Sequence, residues 1–302
     1  MKHLLSIKDL SAEQILNLIE LGRTLKRDYL PYQTALAGKS VVTLFEKPSL
    51  RTRVTFDIGV NKLGGHTLYL DQQNGALGER ESVKDFALNL SRWCDAIVAR
   101  VFSHSSLEQL AQYATVPVVN SLSDLYHPCQ GLADFMTLAE HHKDLSKVAL
   151  GYVGDGNNVT HSLMIAAAKL GAKMVVVCPP GHFPDGQIVQ LCQQIAATSG
   201  GQLILSSDTR ALEGVHALYA DTWVSMGDDT PLSQVKKTFM PYQINQALVD
   251  SSGAQQVLHC QPAHRGYEIS SEVMDGPNSV IFDQAENRMH IQNAILLTLL
   301  QD

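Results

Sequence analysis

Residues 148–159 read VALGYVGDGNNV. A short apolar run gives way to a turn of two glycines around an aspartate, and a pair of asparagines then opens a helical pattern. An apolar run of this length, ended by a glycine turn, reads as a buried strand leading into a helix. The same alternation extends in both directions. Upstream, Ser40 to Phe45, Thr67 to Leu70, Ala96 to Val101 and Val116 to Val119 are strand candidates. Between them lie segments such as Ser82 to Trp93, whose apolar positions 83, 86, 87, 90 and 93 keep helical spacing. Downstream the series continues with Met174 to Cys178, Leu203 to Leu205, Ala217 to Ala220 and Val257 to Leu258. Two successive strand–helix series predict α/β architecture with two doubly wound parallel sheets.

The chain has 302 residues, enough for about two domains of typical size. Helical spacing from Leu132 to Leu138 is interrupted by the polar stretch His141 to Ser146, which marks the boundary between the two series. A last amphipathic stretch, Ala285 to Leu299, could pack on either half. Charged residues make up 18%, below the usual figure of about 25%, so long disordered tracts are not expected. The net charge of -7 opposes sequence-independent binding to nucleic acid or to an anionic membrane. No run of about 18 apolar residues occurs, and the N-terminus reads as a capped helix rather than a signal peptide. The five cysteines, at 94, 129, 178, 192 and 260, form no C-x-x-C pair, so a cytoplasmic, reducing setting is the expectation.

Ligands of open parallel sheets sit at the carboxyl ends of the strands, and the polar segments here follow the strands. Glu46-Lys47-Pro48-Ser49-Leu50-Arg51-Thr52-Arg53 is one such segment. Pro48 halts the strand, Ser49 suits an N-cap, and the unpaired N–H groups of a helix start with Ser, Thr and Arg side chains make a cradle for phosphate or carboxylate. A plain capped helix with solvated arginines fits the same residues equally well. His127-Pro128-Cys129-Gln130 also enters a helix, where His could donate to a carbonyl oxygen and Gln accept from an amide. Alone, that pair is as compatible with a structural histidine. In the Gly154 turn, Val159 replaces the third glycine of a dinucleotide fingerprint, and the following strand ends in Pro179-Pro180 instead of an acidic residue. A nicotinamide site is therefore disfavoured. Asn157 and Asn158 offer the mixed donors and acceptors that a zwitterion needs. Asp221 and Cys260 each follow a short strand and, if the fold brings them together, could hold an ammonium and receive its proton.

Together these segments closely resemble the transcarbamylases, and within that family the branch that uses ornithine. The motifs are S-x-R-T-R at Ser49 to Arg53, H-P-C-Q at His127 to Gln130, D-x-x-x-S-M-G at Asp221 to Gly227, H-C-x-P at His259 to Pro262 and A-E-N-R at Ala285 to Arg288. They stand in family order and span nearly the whole chain. The resemblance implies transfer of a carbamoyl group from carbamoyl phosphate to the δ-amine of L-ornithine, giving citrulline and phosphate in arginine metabolism, without metal or organic cofactor. Acceptors such as acetylornithine or putrescine, and a catalytically silent binding subunit, are the competing readings. The resemblance also implies a carbamoyl-phosphate domain over residues 1–142 with a returning C-terminal helix over 285–302, an ornithine domain over 143–284, and an active site in the cleft between them. Homotrimers, or assemblies of trimers, are implied.

By the same resemblance, Ser49, Leu50, Arg51 and Thr52 hold the phosphate, and Arg100 bridges phosphate and carbonyl oxygen. His127 polarises the carbonyl. Gln130, the Cys260 and Gln261 backbone and Arg288 hold the carbamoyl amide. Asn158, Asp221, Ser225 and Met226 bind ornithine, and Cys260 is the active-site cysteine. Arg100, His127, Asp221 and Cys260 are thus the expected catalytic set. Three departures stand out: Leu50 replaces a threonine, Gln261 replaces a leucine, and Ala76 occupies a loop where relatives often place a polar residue that reaches the neighbouring subunit.

Overall fold

The computed structural model describes residues 1–71, 77–223 and 231–301. The chain divides into two compact units, residues 1–136 with 286–302, and residues 137–285.

In the first unit the order is α1 (Ala12–Arg27), β1 (Ser40–Phe45), α2 (Leu50–Lys62), β2 (His66–Leu70), α3 (Val83–Leu90), β3 (Ala96–Arg100), α4 (His104–Tyr113) and β4 (Val118–Leu122). The chain then enters α5 (Pro128–His141), within which it passes to the second unit. The four strands are parallel in the order β2-β1-β3-β4. β1 and β3 read as near-continuous β-branched and small apolar residues because both faces are covered, and every residue of β3 is buried. Ile97 and Ala99, on one face of β3, pack with Leu107, Leu110 and Val118 into one apolar cluster.

The second unit runs β5 (Ala149–Val153), α6 (Asn158–Leu170), β6 (Lys173–Val177), α7 (Gly186–Ser199), β7 (Gln202–Ser206), β8 (Ala217–Ala220), α8 (Leu232–Phe239), α9 (Gln246–Ser252), β9 (Gln256–His259) and α10 (Ser271–Met274). α11 (Ile281–Leu300) begins in this unit and ends in the first. Its five strands are parallel in the order β7-β6-β5-β8-β9. α6 is set by a capping box between Asn157 and Thr160 and stopped by Gly171 in the left-handed region (φ 72°). Almost all of its side chains are buried, so it carries little amphipathic contrast.

The strand expectations meet the structure closely, with one shift. The fourth strand continues past Val119 through Asn120, Ser121 and Leu122. Asn120 and Ser121 stay buried because Asn120 donates to the Leu5 carbonyl (2.8 Å) and Ser121 to that of Ala99 (3.0 Å). The helix expected from Ser82 to Trp93 is shorter: Ser82 is its N-cap, and regular structure ends at Leu90. Among the described residues, no helix is long and apolar enough to cross a membrane, and no cluster of His, Cys, Asp or Glu is arranged to hold a metal ion.

Each sheet has one point where the strand order reverses, between β1 and β3 in the first and between β5 and β8 in the second. Loops leaving the carboxyl ends of such strand pairs diverge to opposite faces and leave room for a ligand. The motif residues follow β1, β3 and β4 in the first sheet and β5, β8 and β9 in the second, with Arg288 on α11.

Candidate active site

In the first unit, Ser49 occupies the N-cap position of α2 with extended backbone (φ -155°), but its hydroxyl makes no capping hydrogen bond. The helix start therefore keeps its backbone donors for something other than its own cap. Leu50 and Arg51 form the first turn, with Leu50 75% exposed, so the missing threonine hydroxyl leaves no unfilled space in the interior. Thr52 lies on the same turn and is buried, and its hydroxyl accepts from Arg288 Nη2 at 2.7 Å. That bond brings the C-terminal helix to the phosphate-loop candidate.

Arg100 ends β3. The pairing of β3 with β4 shifts register between Ala99 and Arg100, leaving Ser121 as the extra residue on the β4 side. Arg100 is 5% exposed, and burial together with the nearby Arg288 lowers its pKa to about 10, so it remains charged at neutral pH. Arg100 Nε has no hydrogen-bond partner among the described residues. A buried guanidinium in that state is suited to an anion. His127 precedes α5 and is buried. Burial first, then Arg288 and Arg100, push its pKa well below the usual histidine value, so the imidazole is neutral. Gln130 donates from Nε2 to Asp134 Oδ1 (2.8 Å), and its Oε1 has no acceptor role among the described residues. The amide is thus oriented with its oxygen available for an N–H donor.

Two residues given no role from the sequence complete this half. Asp134 orients Gln130 one helical turn away. Glu46, 4% exposed, accepts from the Leu77 N–H (2.6 Å) and the Phe102 N–H (2.7 Å), while its own N–H donates to the Arg100 carbonyl (2.8 Å). It fixes the backbone at the end of β3. An acidic residue directly after an apolar strand was the available signal.

In the second unit, Gly154 adopts φ 145°, a conformation open to glycine, and Gly156 lies so close to the Phe183-Pro184 backbone that no side chain fits. The turn delivers Asn157, which caps α6 through its Oδ1 and donates from Nδ2 to Asp221 Oδ2 at 2.6 Å. That bond crosses the gap between β5 and β8. Asp221 Oδ1 accepts from its neighbour Thr222 N–H (2.7 Å) and from Cys260 Sγ (2.8 Å). Asp221 and Cys260 are therefore brought together, as the sequence reading required. Asn157 and Thr222 are thus fixed donors to the carboxylate, one to each oxygen, and the Cys260 thiol shares Oδ1 with Thr222. Asn158 is the first residue of α6. Gln261 follows Cys260 with φ 56°. Ser225, Met226 and Ala76 lie outside the described residues.

Comparison with known proteins gives two family matches that divide the chain between them. The aspartate/ornithine carbamoyltransferase carbamoyl-P binding domain matches residues 2–140, and the Asp/Orn binding domain matches residues 146–299. The chain is 64% identical over 301 residues to an ornithine carbamoyltransferase of a Vibrio species, covering 100% of both. Among solved structures, ornithine carbamoyltransferase from Pyrococcus furiosus is similar with a TM-score of 0.94 and 46% identity, over 98% of this chain and 96% of that one. An acetylornithine transcarbamylase complexed with acetylcitrulline is similar at 0.89, with 29% identity and full coverage of both chains.

Proposed function

The chain belongs to the aspartate/ornithine carbamoyltransferase family, and on that premise we propose that it transfers the carbamoyl group of carbamoyl phosphate to the δ-amine of L-ornithine. The products are L-citrulline and phosphate. Identity separates the acceptors where fold does not: 64% identity is to ornithine enzymes, whereas the acetylornithine enzyme shares the fold at 29%.

The observation that carries the mechanism is the set Thr52, Arg100, His127 and Arg288, four buried donors in one unit with one neutral imidazole among two guanidinium groups. As the amine adds to the carbonyl carbon, negative charge grows on the carbonyl oxygen and then on the departing phosphate. Donors already in place stabilise both without reorganising. Arg100 is assigned to phosphate and carbonyl oxygen. Neutral His127 donates one N–H to the carbonyl oxygen without adding a third positive charge. Ser49, Leu50, Arg51 and Thr52 hold the phosphate, and Leu50 contributes only its backbone N–H. Gln130 Oε1 and the Cys260 and Gln261 backbone carbonyls accept from the N–H groups of the carbamoyl amide, and Arg288, which can only donate, holds the same amide through its oxygen.

For the second substrate, Asp221 is the counter-charge to the δ-ammonium, and Cys260, hydrogen-bonded to it, lies on the route by which the proton leaves. A primary amine near pKa 10 must lose that proton before it attacks. Asn158, Ser225 and Met226 are assigned to the amino-acid end of ornithine.

We also assign a trimeric assembly and a cytoplasmic setting. Leu50, Val54 and Ile58 recur every four residues along one exposed face of α2, and Leu68 is 52% exposed on the edge strand β2 that packs against this helix. An apolar stripe beside an open sheet edge supports burial against another copy. Five free buried cysteines accord with a reducing compartment.

Citrulline formation from carbamoyl phosphate and ornithine, run beside acetylornithine, putrescine and aspartate, tests the reading. Turnover with ornithine alone is expected. Preference for another amine overturns the acceptor assignment, and no turnover with any overturns the enzyme assignment. A particle of one chain mass in light scattering overturns the trimer.

A further inference from the structure

We propose that His259 and Glu268 are positioning residues that hold the Cys260–Gln261 backbone in its working conformation, resting on the assignment of that backbone to the carbamoyl amide. His259 ends β9 with its side chain fully buried, and Glu268 is 1% exposed. His259 Nε2 meets Glu268 Oε1 at 3.0 Å, and the same oxygen accepts from the His264 N–H at 2.5 Å. One carboxylate oxygen thus ties the two ends of the 259–264 turn. On the other side of the ring, Nδ1 accepts from the Gln261 N–H at 2.9 Å. A backbone N–H can only donate, so Nδ1 carries the lone pair and the proton is on Nε2, donated to Glu268. The β9 end is fixed independently, because the His259 N–H donates to Gln284 Oε1 at 2.8 Å.

Gln261 needs this support. It is the one non-glycine residue with positive φ (56°) among the described residues, a conformation that L side chains disfavour and that persists only where the surroundings impose it. The imidazole acceptor fixes the N–H of that residue, and the Cys260 side chain is held separately by Asp221. The Cys260 carbonyl, which shares a peptide plane with that N–H, is then set by His259, and the orientation of His259 is set by Glu268. Neither residue needs to touch a substrate to act in this way.

The two arms of His259 can be separated by substitution. Asn keeps an acceptor oxygen at the Nδ1 position and loses the arm to Glu268; Gln keeps a donor nitrogen at the Nε2 position and loses the arm to Gln261. Each variant forfeits one buried hydrogen bond, so a purely structural role predicts equal loss of melting temperature and of kcat. The positioning role predicts that His259→Gln loses at least tenfold more kcat than His259→Asn at similar melting temperature. It also predicts that amide hydrogen exchange of the 260–261 segment rises in His259→Gln only. Equal kcat and equal exchange in the two variants overturn the proposal. If neither variant folds, Glu268→Gln, which keeps the acceptor oxygen in place, should retain more kcat than Glu268→Asp, which withdraws it; the reverse order overturns the proposal. Exchange is read without substrate, so a wild-type chain that makes no citrulline yet shows this exchange pattern refutes the assigned reaction while leaving the positioning intact.

Discussion

Arg288 Nη2 donates to the Thr52 hydroxyl at 2.7 Å, joining α11 to the first turn of α2 across 236 positions of sequence. Both side chains are buried. The bond fixes the guanidinium and directs the threonine lone pairs toward it, so the threonine proton is free to point elsewhere. Thr52→Val removes that proton and the acceptor together. We expect kcat for citrulline formation to fall by on the order of 10², the usual effect of losing one preorganised donor to a developing anion. Combined with Arg288→Lys, the loss should be clearly less than the product of the single effects, since the two residues act as a unit. A multiplicative double mutant would show that they do not.

His127 gives a signature in stability. Its folded pKa lies well below 6.5 because of burial and the two arginines, whereas the unfolded chain has an ordinary histidine. Below the unfolded value the unfolded state binds the extra proton, so stability present at neutral pH is lost as the pH falls through about 6.5. The slope approaches about 1.4 kcal/mol per pH unit for such a group. Buried His104 and half-buried His3 shift the same way and add to the slope. Denaturant unfolding between pH 7 and pH 5 should therefore show a shallower pH dependence in His127→Gln than in the wild type. Parallel curves would mean that the imidazole is not held neutral.

The fold was legible because parallel sheets covered on both faces write themselves as apolar runs: Ser40–Phe45 and Ala149–Val153 coincide with strands to within a residue. Polar Asn120 and Ser121 hid the end of β4, since their burial depends on carbonyls of Leu5 and Ala99 that no local pattern shows. In the site, residues at strand ends and helix starts were readable from position. Asn157 was visible as one of two asparagines opening a helical pattern, but its bond to Asp221 spans 64 residues and exists only once β5 and β8 pair. Glu46 acts through hydrogen bonds from backbone N–H groups 31 and 56 positions away, whose pairing leaves no spacing rule in the sequence.

Asn157 is the neutral donor to Asp221 Oδ2 at 2.6 Å. Asn157→Asp replaces it with a second carboxylate at contact distance, where like charges cannot both ionise comfortably. Asn157→Ala merely removes one hydrogen bond and a cap. Steady-state kinetics should show the KM for ornithine rising in both variants, with Asp raising it more than Ala and with the KM for carbamoyl phosphate moved far less. A larger effect of Ala than of Asp would mean that the cap, and not the charge of Asp221, is what Asn157 serves.

Gly156 offers a test of the turn that separates stability from chemistry. A Cβ built there would lie 2.2 Å from the Pro184 nitrogen and 2.5 Å from the Phe183 carbonyl carbon, both backbone atoms that no rotamer change can clear. The approach is held by the Gly156 N–H donating to the His182 carbonyl at 2.8 Å, and by His182 Nδ1 against Asp155 Oδ1 at 2.9 Å. Inserting one methyl group must therefore push the 182–184 segment and the 154–158 turn apart. Overpacking of this kind costs about 1–3 kcal/mol, and contact with backbone puts this site at the upper end. Gly156→Ala is expected to lower the melting temperature by several degrees, and by carrying Asn157 away from Asp221 to raise the KM for ornithine. Gly186, with open space around its Cβ position, is the control: Gly186→Ala should leave both unchanged. If Gly156→Ala melts like the wild type, the turn does not hold the two segments in contact.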